Sequence, residues 1–304
     1  MKNRPYYSIR TGKHPHIKYN LDLLRRLFIE VYRKFEWDGY FQEAFGFRCV
    51  DAYNDWVSGN LGRDIGAVVF LYLRKDSLWP IEENYIHYSE EDLFDVIEFL
   101  YDYVSKPVDG FYHGYNNCGW HYSSFDQNAG KKEFREAINS ILKDYKSGYE
   151  LSTEGEILSL PQEGLETLFE SELPHYDPEN VEKRLETAIR KFRRYHATLD
   201  EKKDAIRDLA DVLEYLRPRL KDVLSSKDEN DLFNLANNFG IRHHNANQKT
   251  DYDKEIWYPW MFYYYLATIR ACVSLLRKAE NELSEENVNE VSTDDDIPYD
   301  DIPF

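Results

Sequence analysis

Three stretches of this 304-residue chain carry side chains able to do chemistry. The first is Asn237-Asn238-Phe239-Gly240-Ile241-Arg242-His243-His244-Asn245, where a guanidinium and two imidazoles fall on adjacent positions. Arg and His together are suited to cleaving RNA without a metal. An imidazole removes the 2′-hydroxyl proton or protonates the leaving oxygen, and a guanidinium stabilises the charge of the phosphorane. Arg242, His243 and His244 are therefore the candidate catalytic residues. The alternative is structural: Arg and His just past a helix C-terminus satisfy its last carbonyls and complement its dipole.

The second stretch is a Gly/Asn/Tyr-rich segment, residues 109–130, which holds His113, Cys118 and His121. Zinc takes four protein ligands, or three plus water, and this spacing matches no standard zinc pattern. The expectation is a loop of polar and aromatic residues, with no metal and no cofactor.

The third stretch is the acidic end. Asp295-Asp296-Ile297-Pro298-Tyr299 is followed by the near-copy Asp300-Asp301-Ile302-Pro303-Phe304. Phe304 offers a ring and, as the last residue given, a carboxylate. A pocket with apolar walls and one Arg or Lys would take both. Pro298 and Pro303 restrict the backbone, so less entropy is lost on docking, and the Asp residues favour encounter with a basic rim. The alternative is a solubilising acidic tail. The ending resembles the acidic C-terminal tip of bacterial single-stranded DNA-binding proteins, which typically reads Asp-Asp-Ile-Pro-Phe. The resemblance covers residues 294–304 at most. It implies that Asp300, Asp301, Ile302, Pro303 and Phe304 dock onto DNA replication, recombination and repair enzymes.

Composition bounds what can position these residues. A hydrophobic content of 42%, with 25 Tyr and 17 Phe, fills a core and excludes global disorder. The net charge is −18, of which residues 282–304 carry half, so the chain lacks the basic excess of a duplex DNA binder. Three widely separated cysteines, Cys49, Cys118 and Cys272, predict a reducing compartment and no disulfide framework. With no apolar leader at the N-terminus and no run of about twenty apolar residues, the expected location is cytoplasmic, without a membrane span.

The elements follow from periodicity. Leu24, Leu27, Phe28, Val31 and Phe35 predict a helix over residues 21–35. Residues 37–60 read as short helices and loops, and residues 65–73 as a helix or a buried strand. Ser89 before Glu90-Glu91-Asp92 predicts a capped helix with Leu93, Val96, Ile97 and Leu100 on one face. A helix is expected over 131–147 and a small hairpin over 149–160. Asp177-Pro178-Glu179 is a helix start, with Val181, Leu185, Ala188, Phe192 and Tyr195 as its buried stripe. Its other side carries Lys183, Arg184, Arg190, Lys191, Arg193 and Arg194, a face to be paired with acids, or free to meet nucleic acid or the acidic tail. Ile206, Leu209, Leu213, Leu216, Leu220 and Val223 form a short heptad seam over a helix from 199 to about 224. Helices over 228–239 and 254–280 complete the set. The last begins with aromatic residues on all sides, which predicts burial or an interface, with base stacking as the sharper alternative.

The expected fold is mainly α. An N-terminal mostly helical domain, 1–175, holds the hairpin near 149–160. A C-terminal helical bundle, 176–281, precedes a disordered acidic docking tail, 282–304. In general character, from Tyr7-Ser8-Ile9-Arg10 through residues 149–280, the body resembles AbiJ-type abortive-infection proteins, which end in a HEPN-like bundle. HEPN ribonucleases typically carry Arg, a polar residue, and a His four to six residues further on. Arg242 and His243 match the first two positions, whereas residues 245–252 contain no His. The resemblance implies a phage-defence or stress-response protein with a metal-independent ribonuclease site. The alternative is a non-enzymatic adaptor that mimics the tail of the single-stranded DNA-binding protein to reach its partner enzymes. RNA and a second copy of the chain are the further candidate partners.

Overall fold

The structure is a computed structural model that describes residues 6–12, 18–170, 175–221, 223, 224 and 252–291. Arg242, His243, His244, residues 300–304 and the helix expected over 228–239 lie outside the described residues. The fold is mainly α with small antiparallel sheets, and the chain divides into two compact units, Met1–Leu160 and Pro161–Phe304.

In the first unit a short helix α1 (Tyr7–Arg10) precedes α2 (Leu21–Trp37) and α3 (Gln42–Phe45). Strands β1 (Phe47–Arg48) and β2 (Trp56–Val57) follow, then α4 (Ile65–Leu73), α5 (Ile81–Asn84) and α6 (Glu90–Tyr103). Strands β3 (Lys106–His113) and β4 (Gly119–Asp126), helix α7 (Gln127–Leu142), and strands β5 (Tyr149–Leu151) and β6 (Ile157–Ser159) complete the unit. Asn20 caps α2 by accepting from the Leu23 N–H, and Ser89 with Asp92 forms a reciprocal capping box on α6. The core sits between α2, α6 and α7. Leu24, Phe28, Leu93, Ile97, Leu100, Phe134, Ile138 and Leu142 are completely or almost completely buried there. Phe134 meets the Phe35 ring edge-on at 5.3 Å.

Two expectations change in this unit. Residues 109–130 are not a loop: β3 and β4 pair from Lys106↔Asp126 to His113↔Gly119, with α7 starting directly after them. The aromatic residues of this stretch favour a pleated surface, and Gly114, Asn116 and Asn117 fall in its turn. The helix-or-strand ambiguity at 65–73 resolves as helix α4, capped by Asp64 and closed by Arg74 in the left-handed region. The hairpin expected over 149–160 is present as β5–β6, and the Asn139 side chain holds it against α7 through both the N–H and the carbonyl of Leu151.

The second unit holds α8 (Thr167–Glu170), one π-helical turn at Pro178–Glu182, then α9 (Lys183–Arg193), α10 (Leu199–Leu220) and α11 (Lys254–Val291). Asp177 caps the π turn, and Thr198 with Glu201 makes a capping box on α10. The predicted seam Ile206, Leu209, Leu213, Leu216 and Leu220 is buried, facing Met261, Phe262, Tyr265, Leu266 and Ile269 of α11. Phe192 of α9 stacks on Phe262 with centroids 3.9 Å apart. Three cations of the α9 basic face are paired with acids. Lys183 reaches Glu179, Lys191 reaches Asp208 and Arg194 reaches Glu201, while Arg193 is buried over the Phe169 ring. Among the described residues no helix is long and apolar enough to cross a membrane.

Candidate metal centre

The β3–β4 hairpin places two imidazoles side by side. Phe111 pairs with His121, and His113 lies two residues beyond Phe111. Side chains repeat every two residues along a strand, so Phe111, His113 and His121 share one face. The two imidazole centroids are 5.1 Å apart. Tyr112, Trp120 and Tyr122 occupy the opposite face, where Trp120 and Tyr122 stack at 5.7 Å. Cys118 ends the 3-10 turn Tyr115–Asn117, which leads into β4 through Gly119. Asn116 and Asn117 both take positive φ in this turn, a conformation Asn tolerates better than most residues.

The fourth member comes from far away in sequence. Cys49 directly follows β1, and the loop after it folds back so that the Cys49 N–H donates to the Asp55 carbonyl. Two glycines bring this segment into place. Gly46 has φ +85° and passes so close to Val57 that a Cβ would lie 2.0 Å from its carbonyl oxygen. Gly110 lets β3 approach β4, since a Cβ there would lie 2.4 Å from the His121 carbonyl oxygen. The Phe47 ring lies 4.4 Å from the His121 ring, packing β1 onto the hairpin. Gln42 of α3 holds β4 from its other side, donating to the Trp120 carbonyl and accepting from the Tyr122 N–H.

The result is a group of two thiols and two imidazoles. One ligand atom from each of Cys49, His113, Cys118 and His121 lies within 4.8 Å of all the others. Cys49 and His121 are buried, and His113 and Cys118 are half-buried. The Val50 N–H donates to Cys118 Sγ at 3.4 Å, and Cys49 Sγ lies 3.8 Å from His113 Nδ1. Asp51 Oδ2 stands 3.3 Å from His113 Nε2. The Nε2 atom of His121 is buried with no hydrogen-bond partner. Burial, reinforced by neighbouring His113, pushes the His121 pKa below its ordinary value, so its imidazole favours the neutral form that binds metals. By contrast Cys272, alone in the second unit's core, is pushed up to about 11 by burial, which leaves it an inert thiol.

The sequence singles out His113, Cys118 and His121, and the structure brings all three together. What sequence reasoning missed is Cys49, which precedes His113 by 64 residues and carries no local motif. The one usable signal was the odd cysteine count beside a three-member Cys/His set. The candidate catalytic residues Arg242, His243 and His244, and the docking segment Asp300, Asp301, Ile302, Pro303 and Phe304, lie outside the described residues, so no geometry attaches to them. Comparison of the chain with protein-family models, with curated proteins and with solved structures finds no match.

Proposed function

We propose that this chain is a cytoplasmic bacterial phage-defence or stress-response protein of the abortive-infection type. In this reading its second unit is a HEPN-like bundle that acts on RNA, and residues 300–304 dock onto DNA replication or repair enzymes. The observation that carries the reading is the helical packing of the second unit. Helices α10 and α11 meet along an apolar seam, and the segment that joins them in sequence holds Arg242, His243 and His244. Arg242 would stabilise phosphorane charge, and His243 or His244 would move the proton. Arg242→Ala and a His243→Ala/His244→Ala double variant test this. Both should abolish RNA cleavage and growth inhibition, and unchanged cleavage in both removes the nuclease reading.

A second reading is favoured by one specific observation: residues 245–252 contain no His where the HEPN pattern expects one. In that reading the bundle is a binding or dimerisation module, and the chain is an adaptor that competes with the single-stranded DNA-binding protein for its partners. The test is competition. A labelled peptide with the acidic tip of that protein is bound to a purified repair enzyme, and the full chain should displace it. A chain lacking residues 300–304 should not. Equal displacement by both chains would rule out docking through that segment.

A further inference from the structure

We propose that Cys49, His113, Cys118 and His121 form a structural Zn(II) site, bound through both Sγ atoms, Nδ1 of His113 and Nε2 of His121. The donor set is the first argument. Two thiolates and two imidazoles make a tetrahedral Cys₂His₂ shell, in which bond lengths of about 2.3 Å to sulfur and 2.0–2.1 Å to nitrogen put donor atoms roughly 3.3–3.8 Å apart. The atoms here already lie within 4.8 Å of one another, with Cys49 Sγ and His113 Nδ1 at 3.8 Å. A contraction of at most about 1.5 Å, from 4.8 Å to roughly 3.3 Å, completes the shell.

The surroundings fix which atom each ligand presents. Asp51 Oδ2 stands 3.3 Å behind Nε2 of His113, which leaves Nδ1 as the atom facing the cluster; a carboxylate behind a ligating imidazole orients the ring and sets its tautomer. His121 has no such outer partner on Nε2, and a buried ring nitrogen left unpaired is costly unless something binds it. The Val50 N–H is directed at Cys118 Sγ at 3.4 Å, the backbone contact that a metal-bound sulfur accepts. Binding releases one proton from each thiol to solvent, so the dication and two thiolates form a neutral centre, as a largely buried site requires.

Four protein donors fill a tetrahedron and leave no position for water or substrate. That assigns the site a structural role rather than a catalytic one. The ion would tie the loop after β1 to the turn of the β3–β4 hairpin. The inference stands apart from the proposed RNA chemistry, which rests on the second unit.

The test is the metal content of the untagged full chain, purified without added metal and assayed by elemental mass spectrometry. One zinc per chain is expected, and a Co(II)-loaded sample should show the visible absorption of a tetrahedral site with sulfur ligands. Cys49→Ser and Cys118→Ser should each weaken zinc retention at least tenfold, while Cys272→Ala should keep a full equivalent. Because a ligand variant can misfold, a second measurement uses the unaltered protein. Chelation should increase alkylation of Cys49 and Cys118 severalfold, mapped by peptide mass, and leave Cys272 unchanged. The proposal is overturned by a chain that takes up no zinc on reconstitution, by variants that retain it fully, by alkylation indifferent to the chelator, or by a Cys49–Cys118 disulfide in freshly purified protein.

Discussion

Removing zinc from the proposed centre should destabilise the unit Met1–Leu160 and leave the other unit as an internal reference. The magnitude follows from what the ion ties together. Joining Cys49 to Cys118 closes a loop of roughly 70 residues, and by the chain-entropy relation for a cross-link that is worth about 4 kcal/mol at room temperature. The two histidine ligands add only short loops on the Cys118 side, so they change this figure little. For a unit of this size the loss corresponds to a fall of about 10–15 °C in Tm. In urea, with a slope of about 2–3 kcal/mol/M, the midpoint should drop by roughly 1.5–2 M. The assay is urea unfolding of the full chain with and without a tight chelator, read by circular dichroism. Hydrogen exchange of the β3–β4 amides assigns the transition to the right unit. Chelation should speed exchange across β3 and β4 and leave α10 and α11 unaffected. A midpoint that moves by less than about 0.3 M would refute the reasoning, because a clamp over so long a loop cannot be energetically silent.

The remaining predictions are single substitutions, three in the second unit and one at the hairpin of the first. Phe262→Ala removes a fully buried ring stacked on Phe192, and should cost about 3–5 kcal/mol in chemical denaturation. Thr198→Ala breaks the capping box on α10 and should cost about 1 kcal/mol by the same measurement, with the helical circular dichroism signal retained. The Asp177 carboxyl is held down at about 2, first by the Tyr215 hydroxyl and then by the Asn180 side chain and N–H. A depressed carboxylate pKa contributes stability above the ordinary carboxylate range, and this is lost as pH falls from about 4 toward 2. Tyr215→Phe should therefore raise the Asp177 pKa toward its usual value in an NMR titration, and an unmoved titration would show that the hydroxyl is not the cause. Gly110→Ala should lower zinc retention, measured as metal per chain, because its Cβ would collide with the His121 carbonyl and push β4 away.

Much of the helical architecture was legible from local chemistry. The stripe from Leu24 to Phe35, the capping box at Ser89, the start at Asp177-Pro178 and the seam from Ile206 to Leu220 all specify structure through spacings of three and four or through caps. These interactions close within one or two turns, so the sequence contains them whole. The acids paired with the α9 basic face were legible for a related reason: oppositely charged residues on neighbouring helices are the ordinary partners of such a face. The segment of 109–130 was not. Its Gly and Asn residues signal turns, and the same composition serves a loop or a bulged hairpin until β3 and β4 find their register.

The metal centre marks where the sequence stops. By itself the sequence determined that His113, Cys118 and His121 fall within one short stretch, and that no fourth Cys or His stands near them. Only the tertiary structure decided that a ligand set exists. It carries Cys49 across 64 residues to His113, through the close passage at Gly46 and the seating of Phe47 on the His121 ring. A ligand shell depends on distances among side chains, and a folded chain sets those distances without regard to separation along the sequence.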